Sequence, residues 1–379
     1  MLRHLYIHTP FCNGKCAYCG FYSETADALS LSRYPELPAR ELAGVCEALG
    51  LDLRPKTLYL GGGTPSVLGA DGIRRLAEAI RPFAPLSELE EFSVEVNPAD
   101  ASSALFSGLL RQGVTRISFG VQSFDDAVLR SLGRRHGVER ICDAVREARE
   151  AGVADVGIDL IAGLPGVGES LWRKTLERAV RLDLQHLSVY ALTLERGTPL
   201  AKRVAEGVVE LPGEAETMDA LLLAQARLEE AGFTRYEISN YARPGFACQH
   251  NLAVWRGADY LGLGPAAASR AGRLRWTNRP DRRRYESLLA EGAFAEGRET
   301  LSPEEDALER VLFRLRLAEG MDLDEVVSDY PVLVCRCERW RSVFNGLERE
   351  GIARKTGKSR WCLTSRGFEV CDAVIRELE

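Results

Sequence analysis

Cys12-Asn13-Gly14-Lys15-Cys16-Ala17-Tyr18-Cys19 decides how the rest of the chain is read. Three thiols fall at C-x₃-C-x₂-C spacing just after the apolar run Leu5-Tyr6-Ile7, which reads as a strand. Gly14 lets the backbone turn sharply between the first two thiols, so one loop can fold three thiolates around one metal centre. Three is one short of closure. Structural zinc takes four ligands, and ordinary iron–sulfur clusters take four cysteines. A cluster held by three protein thiolates leaves one iron open to another ligand. Zinc with a remote fourth ligand, and buried cysteines at coincidental spacing, are the two plainer readings.

The chain has 379 residues, 45% apolar and 27% charged, which suits one large domain plus a small one, or a barrel with an extension. A net charge of −6 offers no basic field to nucleic acid or an anionic membrane. No apolar run has the length of a membrane span, and a strand-like start runs into the cysteine loop without a secretory leader. Ten cysteines, with no framework spacing outside the loop, fit a reducing cytoplasm, with Cys46, Cys142 and Cys371 expected as packed small hydrophobes. Cys335-Arg336-Cys337 is a lesser motif, read as a helix start rather than a redox or metal pair.

From the start to about Leu192, short β-rich apolar runs alternate with amphipathic segments. The runs are Leu5–His8, Thr57–Leu60, Phe92–Val96, Arg116–Phe119, Val156–Ile161 and His186–Ala191. Repeated βα units predict a parallel sheet with right-handed crossovers. Six units are too few for a complete eight-fold barrel, and function belongs at the carboxyl ends of the strands. The second strand ends in Gly61-Gly62-Gly63-Thr64-Pro65, where backbone lies open to close approach; no Lys-Ser/Thr follows, which argues against a P-loop. Glu95 sits in an apolar run and needs a partner or a ligand. Gln122, Arg134 and Asp159 follow at or after successive strand ends.

These residues together resemble the radical S-adenosylmethionine (SAM) enzymes. The loop is similar to their C-x₃-C-x-φ-C signature, with Tyr18 as the aromatic. Gly62-Gly63-Thr64-Pro65 resembles the "GGE-like" motif. Gly120-Val-Gln-Ser-Phe124, Leu132-Gly-Arg134 and Asp159-Leu-Ile-Ala-Gly-Leu-Pro165 look like the oxygen-independent coproporphyrinogen oxidase group. The resemblance implies an α/β fold, a partial (β/α)6 radical-SAM barrel over residues 1–235. It implies a 4Fe–4S cluster on Cys12, Cys16 and Cys19, with the amine and carboxylate of SAM on the fourth iron. Tyr6 would lie near the SAM carboxylate, and Gly62, Gly63 and Thr64 would line the methionine end. Glu95, Gln122, Arg134 and Asp159 would contact the methionine and ribose groups, and Ala191 would lie beside the adenine.

The alternation breaks after Glu195, and Leu211–Gly232 is predicted as one helix. Residues 236–300 read as a connecting segment. Its Tyr236-Glu-Ile-Ser239 and Cys248-Gln-His250-Asn251 stretches resemble motifs of the same group, although Val254 stands where that group has tyrosine. The resemblance makes His250, beside Cys248 and Trp255, the expected heme ligand. The basic run Arg270–Arg284 is read as a solvated face, with porphyrin propionates as the alternative. Residues 301–379 resemble a winged-helix module, used in this group as a cover rather than to bind DNA.

Within the group, the oxidases carry a fourth cysteine two residues after the third and a longer N-terminal arm. Here position 21 is Phe and eleven residues precede Cys12. The chain is therefore identified as a member of the HemW-type branch, heme chaperones that bind heme and pass it to acceptor hemoproteins. Its partners would be heme or a porphyrin and a hemoprotein, with no nucleic acid; peripheral membrane contact stays open. The alternative is a radical SAM oxygen-independent coproporphyrinogen III oxidase of heme biosynthesis, and a cluster- or zinc-stabilised interaction protein is third.

Overall fold

The computed structural model describes residues 2–293, 295 and 297–379. One sheet holds nine strands: β1 (Leu2–Thr9), β2 (Leu53–Gly62), β3 (Glu91–Val96), β4 (Arg116–Gln122), β5 (Asp155–Ala162), β6 (His186–Ala191), β7 (Thr234–Arg235), β8 (Asn240–Ala242) and β9 (Leu261–Leu263). Their order is β9-β1-β2-β3-β4-β5-β6-β8-β7. Strands β9 through β6 run parallel, and β8 and β7 add antiparallel at the far edge. All six expected strands are present. The stretch 236–300, expected as a connection, supplies β8 and β9 to this sheet. Three residues are enough for β9 because Leu261 and Leu263 are fully buried beside β1.

Helices Leu37–Leu49, Gly69–Ile80, Ser103–Arg111, Val138–Glu150, Glu169–Arg181 and Glu214–Glu230 alternate with the strands or follow them. Gly69–Ile80 shows the rule: Ile73, Leu76, Ala77 and Ile80 recur at helical spacing and are all buried. Parallel strands covered in this way are apolar on their outer side. Toward the barrel interior they carry polar groups, among them Thr57, Glu91, Glu95, Arg116, Ser118 and Asp159. Of the three cysteines expected as packed hydrophobes, Cys371 is buried, Cys46 half-buried and Cys142 exposed.

The C-terminal module has its own core, in which Phe344 stacks on Trp361 at 5.4 Å. Three strands, Met321–Asp322, Arg360–Leu363 and Ala353–Lys355, form its sheet beside helix Val334–Arg349. The module ends in two helices, Ser365–Glu369 and Cys371–Leu378, broken at Val370. The module is fastened to the barrel by a buried ion pair, Arg235–Glu369 at 2.8 Å. The basic run is divided: Arg273, Arg279 and Arg283 are exposed, as a solvated face requires, while others are engaged by carboxylates. Arg270 is buried against Asp306 and Glu309, Arg275 pairs with Glu299 and Glu309, and Arg282 pairs with Glu24 and Glu286.

Candidate functional site

The cysteine loop leaves β1 and is tied at its base. Phe11–Cys12 pairs with Glu24–Thr25, and Glu24 N–H donates to Pro10 O at 2.8 Å. Its middle is held from both sides: Ala17 N–H donates to Leu132 O, and Leu200 N–H donates to Ala17 O. Gly14 has φ +138°, a region L side chains rarely adopt. Tyr18 packs against Val128, Leu132, Ile161 and Leu164, a small cluster that anchors the loop. The aromatic before the third cysteine is therefore a packing residue. Cys12, Cys16 and Cys19 are partly exposed and line one cavity of about 520 Å³ at the carboxyl ends of the strands. Burial, followed by the neighbouring Cys16 and Cys12 thiols, pushes the Cys19 thiol up, against a backbone N–H that pulls it down.

Opposite the thiols lies the end of β2. A Cβ on Gly62 would fall 2.5 Å from the His8 ring, and one on Gly63 2.5 Å from Phe11 O. Only glycine fits there, and bare backbone faces the cavity. Glu95 reaches the same place from β3. It accepts from Tyr59 Oη at 3.0 Å and from Gly62 N–H at 3.3 Å. Burial, reinforced by the nearby Asp159 charge, raises its carboxyl to about 7. Asp159 is likewise raised by burial, although it accepts from Ser188 and, at 3.1 Å, from Ser118. Two buried acids side by side favour a cationic ligand.

Gln122 has φ +72° at a bulge in β4, where the register with β5 slips between Gly120 and Gln122. Such a bulge re-aims a side chain, and this one turns Gln122 into the cavity. Arg134 donates to Gly120 O and to Cys16 Sγ, the latter at 3.4 Å. Its Nε is buried without a partner, an unmet donor suited to a carboxylate. Thr64 Oγ1 lies 3.3 Å from Cys12 Sγ.

The cavity thus gathers Gly62, Gly63, Thr64, Glu95, Gln122, Arg134, Asp159 and Ala191 with the three thiols. Tyr6 is not on its wall; it stacks on Tyr59 below, with its hydroxyl 3.2 Å from His8 Nδ1. Among the described residues, those that line the cavity run from Cys12 to Glu195. The sequence reading missed Tyr190, Glu195, Lys15 and Arg135. Nothing but proximity in the fold marks them out.

His250 is a correction. The expected heme ligand lies in helix Gln249–Trp255, at the amino end of the barrel, and is buried. Its Nδ1 is 2.8 Å from Thr57 Oγ1, and burial lowers it to about 3. Glu91 of β3 explains the placement. Its carboxylate accepts from Gln249 N–H at 2.6 Å, His250 N–H at 3.2 Å and Cys248 Sγ at 3.2 Å, which satisfies donors at the start of this helix. Trp255 likewise does not await a porphyrin. It donates to Glu237, meets Phe313 edge-on and lies under Arg316. These residues plug the barrel floor.

Among the described residues, no three His, Cys, Asp or Glu side chains gather tightly enough for a single metal ion. A cubane cluster needs thiolates spread around it, one on each of three irons, and a single loop with three partly exposed thiols fits that demand. The bare Gly62–Gly63 backbone, the paired acids and the unmet Arg134 donor fit an amino acid with a free amine and carboxylate.

The comparisons agree with this geometry. The radical SAM superfamily profile matches residues 6–179. "Heme chaperone HemW" of Mycobacterium tuberculosis is 35% identical over 377 residues, 99% of this chain and 94% of that protein. The protein of the same name from Lactococcus lactis is 31% identical, covering 98% and 96%. In structure, the radical SAM enzyme coproporphyrinogen III oxidase (HemN) of Escherichia coli superposes with a TM-score of 0.84 at 23% identity, over all of this chain and 90% of that one; that likeness speaks for the fold. The chain belongs to the radical SAM superfamily and, within it, to the HemW family. A 4Fe–4S cluster and SAM are the cofactors that membership brings. No helix among the described residues is long and apolar enough to cross a membrane.

Proposed function

We propose that the protein is a heme chaperone that binds a 4Fe–4S cluster and SAM, takes up heme and passes it to acceptor hemoproteins. Cys12, Cys16 and Cys19 would hold the cluster, which supplies an open iron for the SAM amine and carboxylate. Glu95 and Asp159 would accept from the amine and the ribose hydroxyls. Gln122 and Arg134 would fix the carboxylate end, Gly62, Gly63 and Thr64 would bring backbone against the methionine, and Ala191 would border the adenine. Tyr6 would support this floor from beneath. The observation that carries the reading is the single cavity in which these groups meet, together with full-length relatives named heme chaperone. The test is anaerobic reconstitution with iron and sulfide analysis, then heme titration with and without SAM. Heme binding and transfer to an apo-hemoprotein are expected. Failure to bind heme, with decarboxylation of coproporphyrinogen III instead, would assign the oxidase activity.

A further inference from the structure

If the floor histidine is sealed, heme needs another place. Phe21 is 68% exposed and Tyr190 41% exposed, and both line the cavity; Leu194, 37% exposed, lies in the segment that borders it. Water gains nothing from an exposed phenylalanine ring, and exposed apolar groups gathered at a cavity mouth mark a binding surface. Phe21 follows the third cysteine directly by two residues. A Cβ on the intervening Gly20 would meet Glu195 at 2.6 Å, so the two apolar segments are packed together here.

The same rim carries cations. Lys15 Nζ donates to Phe21 O at 3.1 Å, and Arg135 donates to Asn13 O. Both side chains are exposed and line the cavity, and each donates to a neutral carbonyl, whereas the arginines at 270, 275 and 282 are held by carboxylates. An apolar surface flanked by two cations matches a flat apolar ring that bears two carboxylates.

We propose that heme binds across the cavity mouth, its face on Phe21, Tyr190 and Leu194 and its propionates on Lys15 and Arg135. This rests on the heme-chaperone reading. It puts the cargo beside the cluster and SAM, so that loading of the cavity and loading of heme share one wall.

The experiment titrates heme into the reconstituted protein by its Soret absorbance, with iron content and SAM affinity as controls. Phe21→Ser should weaken heme about tenfold or more, the cost of leaving one aromatic contact unmade, with iron and SAM unchanged. Leu194→Ser stands outside the cysteine loop and should weaken heme in the same direction, so the test holds even where Phe21→Ser lowers the iron content. Lys15→Gln with Arg135→Gln should weaken heme but not heme dimethyl ester, whose propionates carry no charge. Wild-type affinity for heme in all three variants would overturn the placement and leave the chaperone reading standing. A wild-type protein that binds no heme would overturn both.

Discussion

At the carboxyl end of the barrel, Glu95 and Asp159 face a cavity of about 520 Å³. At the amino end, Glu91 faces the start of helix Gln249–Trp255 and is closed over by it. Both ends combine a strand carboxylate with cysteine and histidine nearby. The upper set comes from the carboxyl ends of successive strands and the loops that leave them, and remains open. The lower set is completed by a helix from far along the chain, so its polar groups are spent on structure. Residue type therefore does not separate a ligand site from a plug; the end of the strand on which it falls does.

Replacing Cys16 with Ala breaks the comparison at its strongest point. The upper end should lose its cluster altogether, seen as loss of iron and of the brown chromophore after anaerobic reconstitution, while Cys248→Ala keeps both. Next, Glu91→Ala strips the floor helix of its acceptor. A charged acceptor with several buried donors is worth roughly 1.5–3 kcal/mol per bond lost, so the unfolding midpoint should drop clearly while SAM still binds. An unchanged midpoint would mean that the floor is not held in this way.

Smaller effects sharpen the picture. Arg134→Ala should weaken SAM by about tenfold, one charge-assisted hydrogen bond, while the protein stays folded. Glu95 is raised to about 7, so its carboxylate forms as pH rises through that value. SAM affinity should rise across the same window and flatten in Glu95→Gln; a parallel profile in the variant would remove Glu95 from the site. Smallest is His250→Gln. Lowered from 6.5 to about 3, His250 stays neutral in the folded protein while the unfolded chain takes up a proton. Stability is therefore complete above about pH 6.5 and is lost as pH falls toward 3. The substitution should flatten part of that acid slope and leave the heme Soret band where it was.

The strands and the upper site were legible because their signals are local. Each run is short and β-rich, and Gly62, Glu95, Gln122 and Asp159 sit where parallel strands end. The floor was not legible. Glu91 meets His250 across 159 positions of sequence, and no pattern in the 248–255 stretch says which end of the barrel it closes. Part of the basic run was illegible for the same reason: Arg270 and Arg275 find Asp306 and Glu309 only in three dimensions. The bulge that turns Gln122 leaves no mark in the residue order, since its φ of +72° favours glycine or asparagine and a glutamine gives no such signal.

Strand β1, which delivers the cysteine loop, has β2 on one side and β9 on the other. Leu5 faces Leu261, a partner synthesised long after the cysteines have left the ribosome. Until then β1 is an unprotected apolar edge, the kind of strand that pairs with whatever arrives, and contacts of such long range form slowly. A chain cut after Ala242 would lack β9 and leave the strand that carries the metal-binding loop as an open edge prone to aggregation.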